Sequence, residues 1–338
     1  MFFNNNMKQT ILILYYYAIS LGVYIPFLVN YLRPYYNVEF KNITNLKYSN
    51  TNKYICIIPT DVPSMEFYNR LSNSKFTCSN KNIYKILDNK DICTKLVKKY
   101  KSVKHIPTLY KFTRGSISKF ILNYPAKKYI LKLNNGEGSF EQKIISKNNI
   151  LTLNFNKYTS YILQPYITNY YIYSYDAIVK EGYIISELFS KIIKKNGVKF
   201  SDFFTAINCE VLNTNDIHYP YIKQFANNLL NDLKYSGFIE IEFLITKNNI
   251  YFLEINPRMC GHISQLDNNY NSIYFNKIVI PYLEIYNIHI PKHKITNNII
   301  SGTNPVISLI FFYKNYKYTI IILFIISVLI AYYFIKKS

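Results

Sequence analysis

The sequence predicts an α/β or α+β chain, because apolar runs of strand length alternate along it with amphipathic runs of helix length. Two observations sharpen this. "FIEIEFLI" and "IYFLEINPR" read as consecutive strands, each with one apolar and one polar face. "LNNGEGSF" concentrates two of the nine glycines in one turn.

Composition bounds the rest. The 338 residues are 49% hydrophobic, enough for two domains or one large domain with a subdomain. There are 36 Tyr, 23 Phe and no Trp, and Lys, Asn and Ile are frequent throughout, as AT-rich codon usage would give. Single tyrosines or lysines therefore carry little meaning. The net charge is +21, yet no run of five Lys/Arg and no arginine-rich arm occurs. Nucleic acid is disfavoured as the main partner. The five cysteines form no CxxC pair and are odd in number, which argues against a disulfide scaffold or zinc ribbon and fits a reducing compartment. The five histidines are scattered.

The elements follow in order. "ILILYYYAISLGVYIPFLVN" is uncharged and reads either as a signal anchor or as a strand followed by a helix from about Ser20 to Tyr31. Gly22 and Pro26 weaken one long helix, and no small-residue cleavage pattern follows. A β-α-β start with "NVEFKNI" as second strand is favoured. "KYICIIPTDVPS" is an apolar strand ending in a Pro/Asp loop. Asp88 suits the N-cap of a helix over Ile92–Tyr100, and "HIPT" exits into an extended segment. "KKYILKLNNGEGSF" reads as strand, glycine turn and helix start, and "SYILQPYI" as another strand. "YIYSYDAIVKEGYIISELF" is a hairpin turning at Lys180–Gly182, and "YIKQFANNLLNDLKYSG" an amphipathic helix ended by Gly237. A small N-terminal α/β domain over 1–83, a larger unit over 84–300 and a linker over 301–317 are expected.

From Tyr318 to Ile335 there is no charge, over about the length a bilayer core requires. Lys314 and Lys317 precede the run, Lys336 and Lys337 follow it, and tyrosines sit at both ends. The expectation is a single-pass C-terminal transmembrane helix that tethers a cytosolic domain to the lipid bilayer; a buried C-terminal helix is the alternative.

The acidic hairpin carries the chemistry. Even positions of its first strand hold Glu240 and Glu242, and the second strand sets Glu254, Asn256 and Arg258 two residues apart, with Leu253 and Ile255 facing the core. A three-residue turn at Lys247–Asn249 would pair Glu242 with Glu254. Opposed carboxylates cost stability, and a divalent cation removes that cost. Carboxylate and amide oxygens suit magnesium, with manganese as the alternative ion. Arg258 has the planar fork that matches phosphate. A solvated Glu–Arg surface face is the bland alternative. Upstream, "GEGS" (Gly136, Glu137, Gly138, Ser139) exposes backbone N–H groups of the kind that cradle phosphate, and Lys132 supplies a point charge; the same letters also make an ordinary hairpin turn.

In this order, "LDNKDICTKL…HIPT", "YILKLNNGEGS", "YILQPYI", "LKYSGFIEIEFLI" and "YFLEINPR" resemble the ATP-grasp superfamily over roughly Tyr84–Pro281. The twelve-residue spacing of Glu242 and Glu254 is the most specific part. The resemblance implies an ATP-grasp fold of two α+β subdomains with ATP between them. It implies Lys90 and Lys132 on the ATP phosphates, and Gly136–Ser139 as a flap. Gln164, Pro165, Tyr166 and Ile167 would lie beside adenine, and Glu242, Glu254 and Asn256 would hold magnesium. Arg258 and Lys132 would be the catalytic pair, with Arg258 on phosphate or an acyl phosphate. The implied activity is ADP-forming carboxylate–amine ligation: a small-molecule carboxylate attacks the γ-phosphate, and an amine or other nucleophile displaces phosphate. The chain departs from the family after the linker strand, where "TNYYIY" has neither the glycine nor the acid that many members use at ribose, and Pro165 stands where an acid is common. That keeps a membrane-tethered, non-catalytic nucleotide-binding module as a second reading, and a basic nucleic-acid scaffold as a third. The acid, the amine and the oligomeric state are not legible.

Overall fold

The uncharged N-terminal run folds as a strand and a helix. In a computed structural model that describes residues 8–47, 51–71, 78–134, 142–152, 160–194, 207–261 and 268–291, β1 (Thr10–Tyr15) leads into α1 (Ala18–Leu32), and β2 (Asn37–Asn42) returns parallel to β1. The β-α-β start is therefore as expected, with the helix beginning slightly earlier. Among the described residues no helix is long and apolar enough to cross a membrane. The run Tyr318–Ile335 lies outside them.

β3 (Cys56–Pro59) completes a three-stranded sheet of order β2-β1-β3. Asp61 caps α2 (Val62–Tyr68) by accepting from the Ser64 N–H at 2.9 Å. Two short helices follow, α3 (Lys81–Asp88) and α4 (Lys90–Val97). Asp88 is not the cap of α4: it closes α3, and Asn89 accepts from the Ile92 N–H at 2.9 Å.

After β4 (Lys104–His105) and α5 (Arg114–Asn123), a second sheet forms from β5 (Lys128–Leu133), β6 (Lys143–Ser146) and β7 (Tyr161–Pro165), with α6 (Lys147–Ile150) between the last two. Its order is β6-β5-β7. The helix start expected after the glycine turn lies outside the described residues; beyond it, Lys143–Ser146 forms strand β6, antiparallel to β5. Its isoleucines Ile144 and Ile145 stand opposite Ile130 and Tyr129, a cross-strand pairing that suits β-branched residues better than a helix does. This sheet has its own small core of Ile117, Phe120, Tyr129, Leu131, Ile150 and Leu163.

The third sheet is the largest. It contains β8 (Tyr171–Lys180), β9 (Tyr183–Lys194), β10 (Ile207–Val211), β11 (Gly237–Ile245) and β12 (Ile250–Asn256) with β4, in the order β10-β9-β8-β11-β12-β4. The β8–β9 turn places Glu181 (φ 51°) and Gly182 (φ 86°) in left-handed conformations, which match the twist of a hairpin. A Cβ at Gly182 would lie 2.8 Å from the Asn231 backbone, so glycine is required there. α7 (Tyr219–Asp232) covers one face, with Phe225 set edge-on against Phe243. The helix ends at Asp232 and not at Gly237; the chain reverses at Lys234 (φ 46°), and Gly237 opens β11. α8 (Asn268–Tyr274), a π-helical turn over Phe275–Val279 and α9 (Ile280–Glu284) join the N-terminal sheet to this one. Tyr31 stacks on Phe275 at 4.6 Å, and the Tyr282 hydroxyl donates to the Ile57 carbonyl at 2.6 Å. The first and third sheets therefore share one large core.

The acidic hairpin reaches the expected pairing by a different route. Its turn has two residues, Lys247 and Asn248, closed by a bond from the Thr246 N–H to the Asn249 carbonyl at 2.9 Å. That register pairs Phe243 with Phe252. A β-bulge at Leu253 then shifts it by one, so that Glu242 faces Glu254 and Glu240 faces Asn256.

Candidate active site

Two polar rows cross three strands on one face of the large sheet. One row is Ser174, Glu242 and Glu254; the next is Asp176, Glu240 and Asn256. Each row follows from strand pairing alone, since partners on neighbouring strands point the same way. The interleaved residues Tyr175, Ala177, Ile239, Ile241, Phe243 and Ile255 are buried in the core. Alternation thus explains why an apolar hairpin carries acids and an amide.

The acidic face is buried. Glu242 is 6% and Glu240 1% exposed. Burial, and then the charges of Glu254 and Glu240, push the Glu242 carboxyl well above the usual carboxylate range. Such a pair is a receptor for positive charge.

Positive charge stands opposite. Lys132 on β5 lines the same cleft, nearly buried at 7% exposure. Burial lowers its ammonium to about 8, against the pull of Glu254. Lys90, the first residue of α4, lies 3.7 Å from Glu254 Oε2. Its backbone N–H donates to the Asn134 carbonyl (3.1 Å), and the Asp91 N–H donates to Asn134 Oδ1 (2.8 Å). The residue that starts the glycine turn is thereby tied to the start of α4.

The cleft continues between the second and third sheets. Its far end is bounded by Ile106, Ile130, Pro165, Tyr166, Ile167 and Tyr170. This apolar slot suits a flat heteroaromatic ring. Gln164 lines the cleft too, and its Nε2 donates to Thr108 Oγ1 at 2.9 Å. Leu253, expected in the core, is partly buried against it and also lines the cleft beside Glu254, because the bulge brings two successive side chains to one side.

Arg258 ends the polar row beyond β12. Its Nη1 donates to the Tyr24 hydroxyl (3.1 Å) and the Met259 carbonyl (2.9 Å) and lies 3.7 Å from Glu240 Oε2. Asn256 Nδ2 donates to the same oxygen at 3.0 Å. A carboxylate only accepts, so the amide must turn its NH2 to Glu240 and its carbonyl oxygen away.

The described residues expected at the site thus line or adjoin one cleft: Lys90, Lys132, Gln164–Ile167, Glu242, Glu254, Asn256 and, at its edge, Arg258. Gly136, Glu137, Gly138 and Ser139 lie outside the described residues. Sequence reasoning gave Glu240 no role and passed over Ser174, Asp176 and Tyr24. The signal for the first three was present: polar residues two apart in strands otherwise apolar. Tyr24 had none, being one tyrosine of 36.

A family model described as an ATP-grasp domain matches residues 89–262, slightly more than half of the chain. The chain belongs to the ATP-grasp family. Solved structures agree with the ATP-grasp fold at low identity. N5-carboxyaminoimidazole synthetase from Staphylococcus aureus, complexed with ADP, aligns with a TM-score of 0.57 at 14% identity over 84% of this chain and 78% of its own. D-alanyl-alanine synthetase A from Vibrio cholerae gives 0.54 at 17%, over 74% and 89%. D-alanine–D-alanine ligase from Bacillus anthracis complexed with ATP gives 0.54 at 13%, over 76% and 88%. No curated protein matches this ATP-grasp chain in sequence.

Proposed function

We propose that this ATP-grasp protein is a magnesium- and ATP-dependent ligase that joins a carboxylate to an amine, or to another nucleophile, through an acyl phosphate. One observation carries the reading: Glu242 and Glu254 are paired across two strands, with Asn256 in the next row and Lys132 and Lys90 facing them across a cleft. The oxygens of Glu242, Glu254 and Asn256 fit magnesium, or manganese in its place, which would neutralise the opposed carboxylates and the phosphates together. Lys90 and Lys132 would hold phosphate oxygens. The slot around Pro165–Ile167 would take adenine. Arg258 would hold the transferred phosphoryl group through its fork. Positioning and charge neutralisation suffice for such chemistry.

The test is magnesium-dependent ADP release by the full chain when candidate acids and amines are offered. Glu254→Ala should abolish it. Turnover by that variant at the parent rate would overturn the metal assignment. The segment after β7, "TNYYIY", carries no acid for ribose, and this favours a second reading, a non-catalytic nucleotide-binding module; ATP binding without turnover in the same screen would support it.

We further propose that Tyr318–Ile335 anchors the protein in a membrane with the ATP-grasp domain in the cytosol, on the strength of its uncharged length and lysine flanks. The full chain should sediment with vesicles and a chain ending before Tyr318 should not. Equal sedimentation of the two would remove the anchor.

A further inference from the structure

Among the described residues, Asp176, Glu240 and Cys260 are the one group of three acids, thiols or imidazoles whose donor atoms converge, all within 4.8 Å of one another. All three are buried, at 0%, 1% and 1% exposure. They come from three places: β8, β11 and the loop that follows β12.

The contacts divide Glu240 into two sides. Its Oε2 faces Asn256 Nδ2 and the Arg258 guanidinium. Its Oε1 faces Cys260 Sγ at 3.2 Å and Ser174 Oγ at 3.4 Å. Ser174 Oγ also donates to Asp176 Oδ2 at 3.0 Å. Asp176 Oδ1, fully buried, makes no hydrogen bond. A cation placed among Asp176, Glu240 Oε1 and Cys260 Sγ satisfies all three at once.

We propose that Asp176, Glu240 and Cys260 form a second cation site, for a divalent, borderline-soft ion of the zinc type, separate from the all-oxygen Glu242–Glu254–Asn256 set. Size agrees along one edge: bonds of about 2.1 Å to oxygen and 2.3 Å to sulfur give a tetrahedral edge of about 3.5 Å, close to the 3.2 Å between Sγ and Oε1, and the Asp176 oxygen lies within 4.8 Å of both. Charge agrees as well. Two carboxylates and one thiolate are balanced by Arg258 and one divalent ion, which a buried site requires. The sulfur selects against magnesium. Binding breaks the Cys260 S–H bond and forms a metal–sulfur bond, the sulfur keeping the electron pair and the proton leaving to solvent. The ion would tie the loop Arg258–Gly261 to β8 and β11 and so hold Arg258 in place. None of this depends on the ligase reading.

The test uses the full chain, stripped of metal and titrated with cobalt(II). A thiolate-to-cobalt charge-transfer band should appear in the parent, vanish in Cys260→Ser and persist in Glu254→Ala. No band in the parent, or an undiminished band in Cys260→Ser, overturns the proposal. Should Cys260→Ser fail to fold, zinc X-ray absorption on the parent decides: one sulfur with oxygens at zinc supports the site, and an oxygen-only shell overturns it.

Discussion

The Tyr24 hydroxyl on α1 accepts a hydrogen bond from Arg258 Nη1 at 3.1 Å and donates one to the Met259 carbonyl at 3.0 Å. The N-terminal unit thereby reaches the one guanidinium placed beside the polar rows. Hydrogen bonds to charged groups contribute about 1.5–3 kcal/mol. Tyr24→Phe removes the oxygen and leaves the ring packing. We expect kcat for ADP release to fall on the order of tenfold with ATP affinity unchanged, because Arg258 is misdirected while the cleft is intact. An unchanged kcat would make Tyr24 a packing residue alone.

Stability should depend on pH through Glu242. Its folded carboxyl holds a proton more tightly than the unfolded chain does, because burial and the charges of Glu254 and Glu240 raise it. The folded state then binds more protons than the unfolded one above the ordinary carboxylate range, so stability falls as pH rises from about 4.5 toward neutrality. Asp176, raised by burial and Glu240, acts in the same direction. Glu242→Gln removes the charge and should flatten the slope in urea melts of metal-free protein between pH 5 and about 8. The same variant should be more stable than the parent at neutral pH and inactive. A parent whose stability rises across that range would refute the account.

Lys132 makes the opposite kind of statement. Burial lowers its ammonium from 10.5 to about 8, so between those values the folded state holds fewer protons than the unfolded chain. Stability is therefore lost as pH falls through this window, and the full cost is present below the folded value. Phosphate oxygens beside Lys132 would restore its proton affinity. Binding of ATP near pH 8 should take up protons, read by calorimetry in buffers of different ionisation enthalpy, and Lys132→Met should abolish the uptake. Equal uptake in the variant would assign the proton elsewhere.

What the sequence made legible was periodic. Glu242, Glu254 and Asn256 could be placed on one face because strands alternate, and the fold class followed from runs of apolar residues. What it hid was set by local chemistry or by distant chain. Asn89 and Asp88 are both good caps, and only the packing of α3 against α4 decides between them. Lys143–Ser146 is a strand because Ile144 and Ile145 find partners on β5, far from where any local pattern looks. Asp176 joins the site through its pairing with Glu240 across β8 and β11; Ser174 and Asp176, two apart in an apolar strand, marked a polar face but not the strand it would meet.

The β-bulge separates two residues that alternation treats alike. In a regular strand Leu253 and Ile255 would both belong to the core face. In the structure Ile255 is buried at 4%, paired with Ile241, while Leu253 lines the cleft next to Glu254. Their truncations should therefore fail differently. Ile255→Ala leaves a cavity in the shared core and should cost about 2–4 kcal/mol of stability. It should change nucleotide affinity little once the protein is folded. Leu253→Ala removes a wall of the cleft and only a partly buried contact with the core. It should weaken ATP binding several-fold, about 1 kcal/mol for the apolar area lost, with a much smaller shift in melting temperature. Thermal melts and ATP titrations on the two variants separate the cases. If Leu253→Ala lost as much stability as Ile255→Ala and bound ATP like the parent, the bulge would have no role in shaping the site.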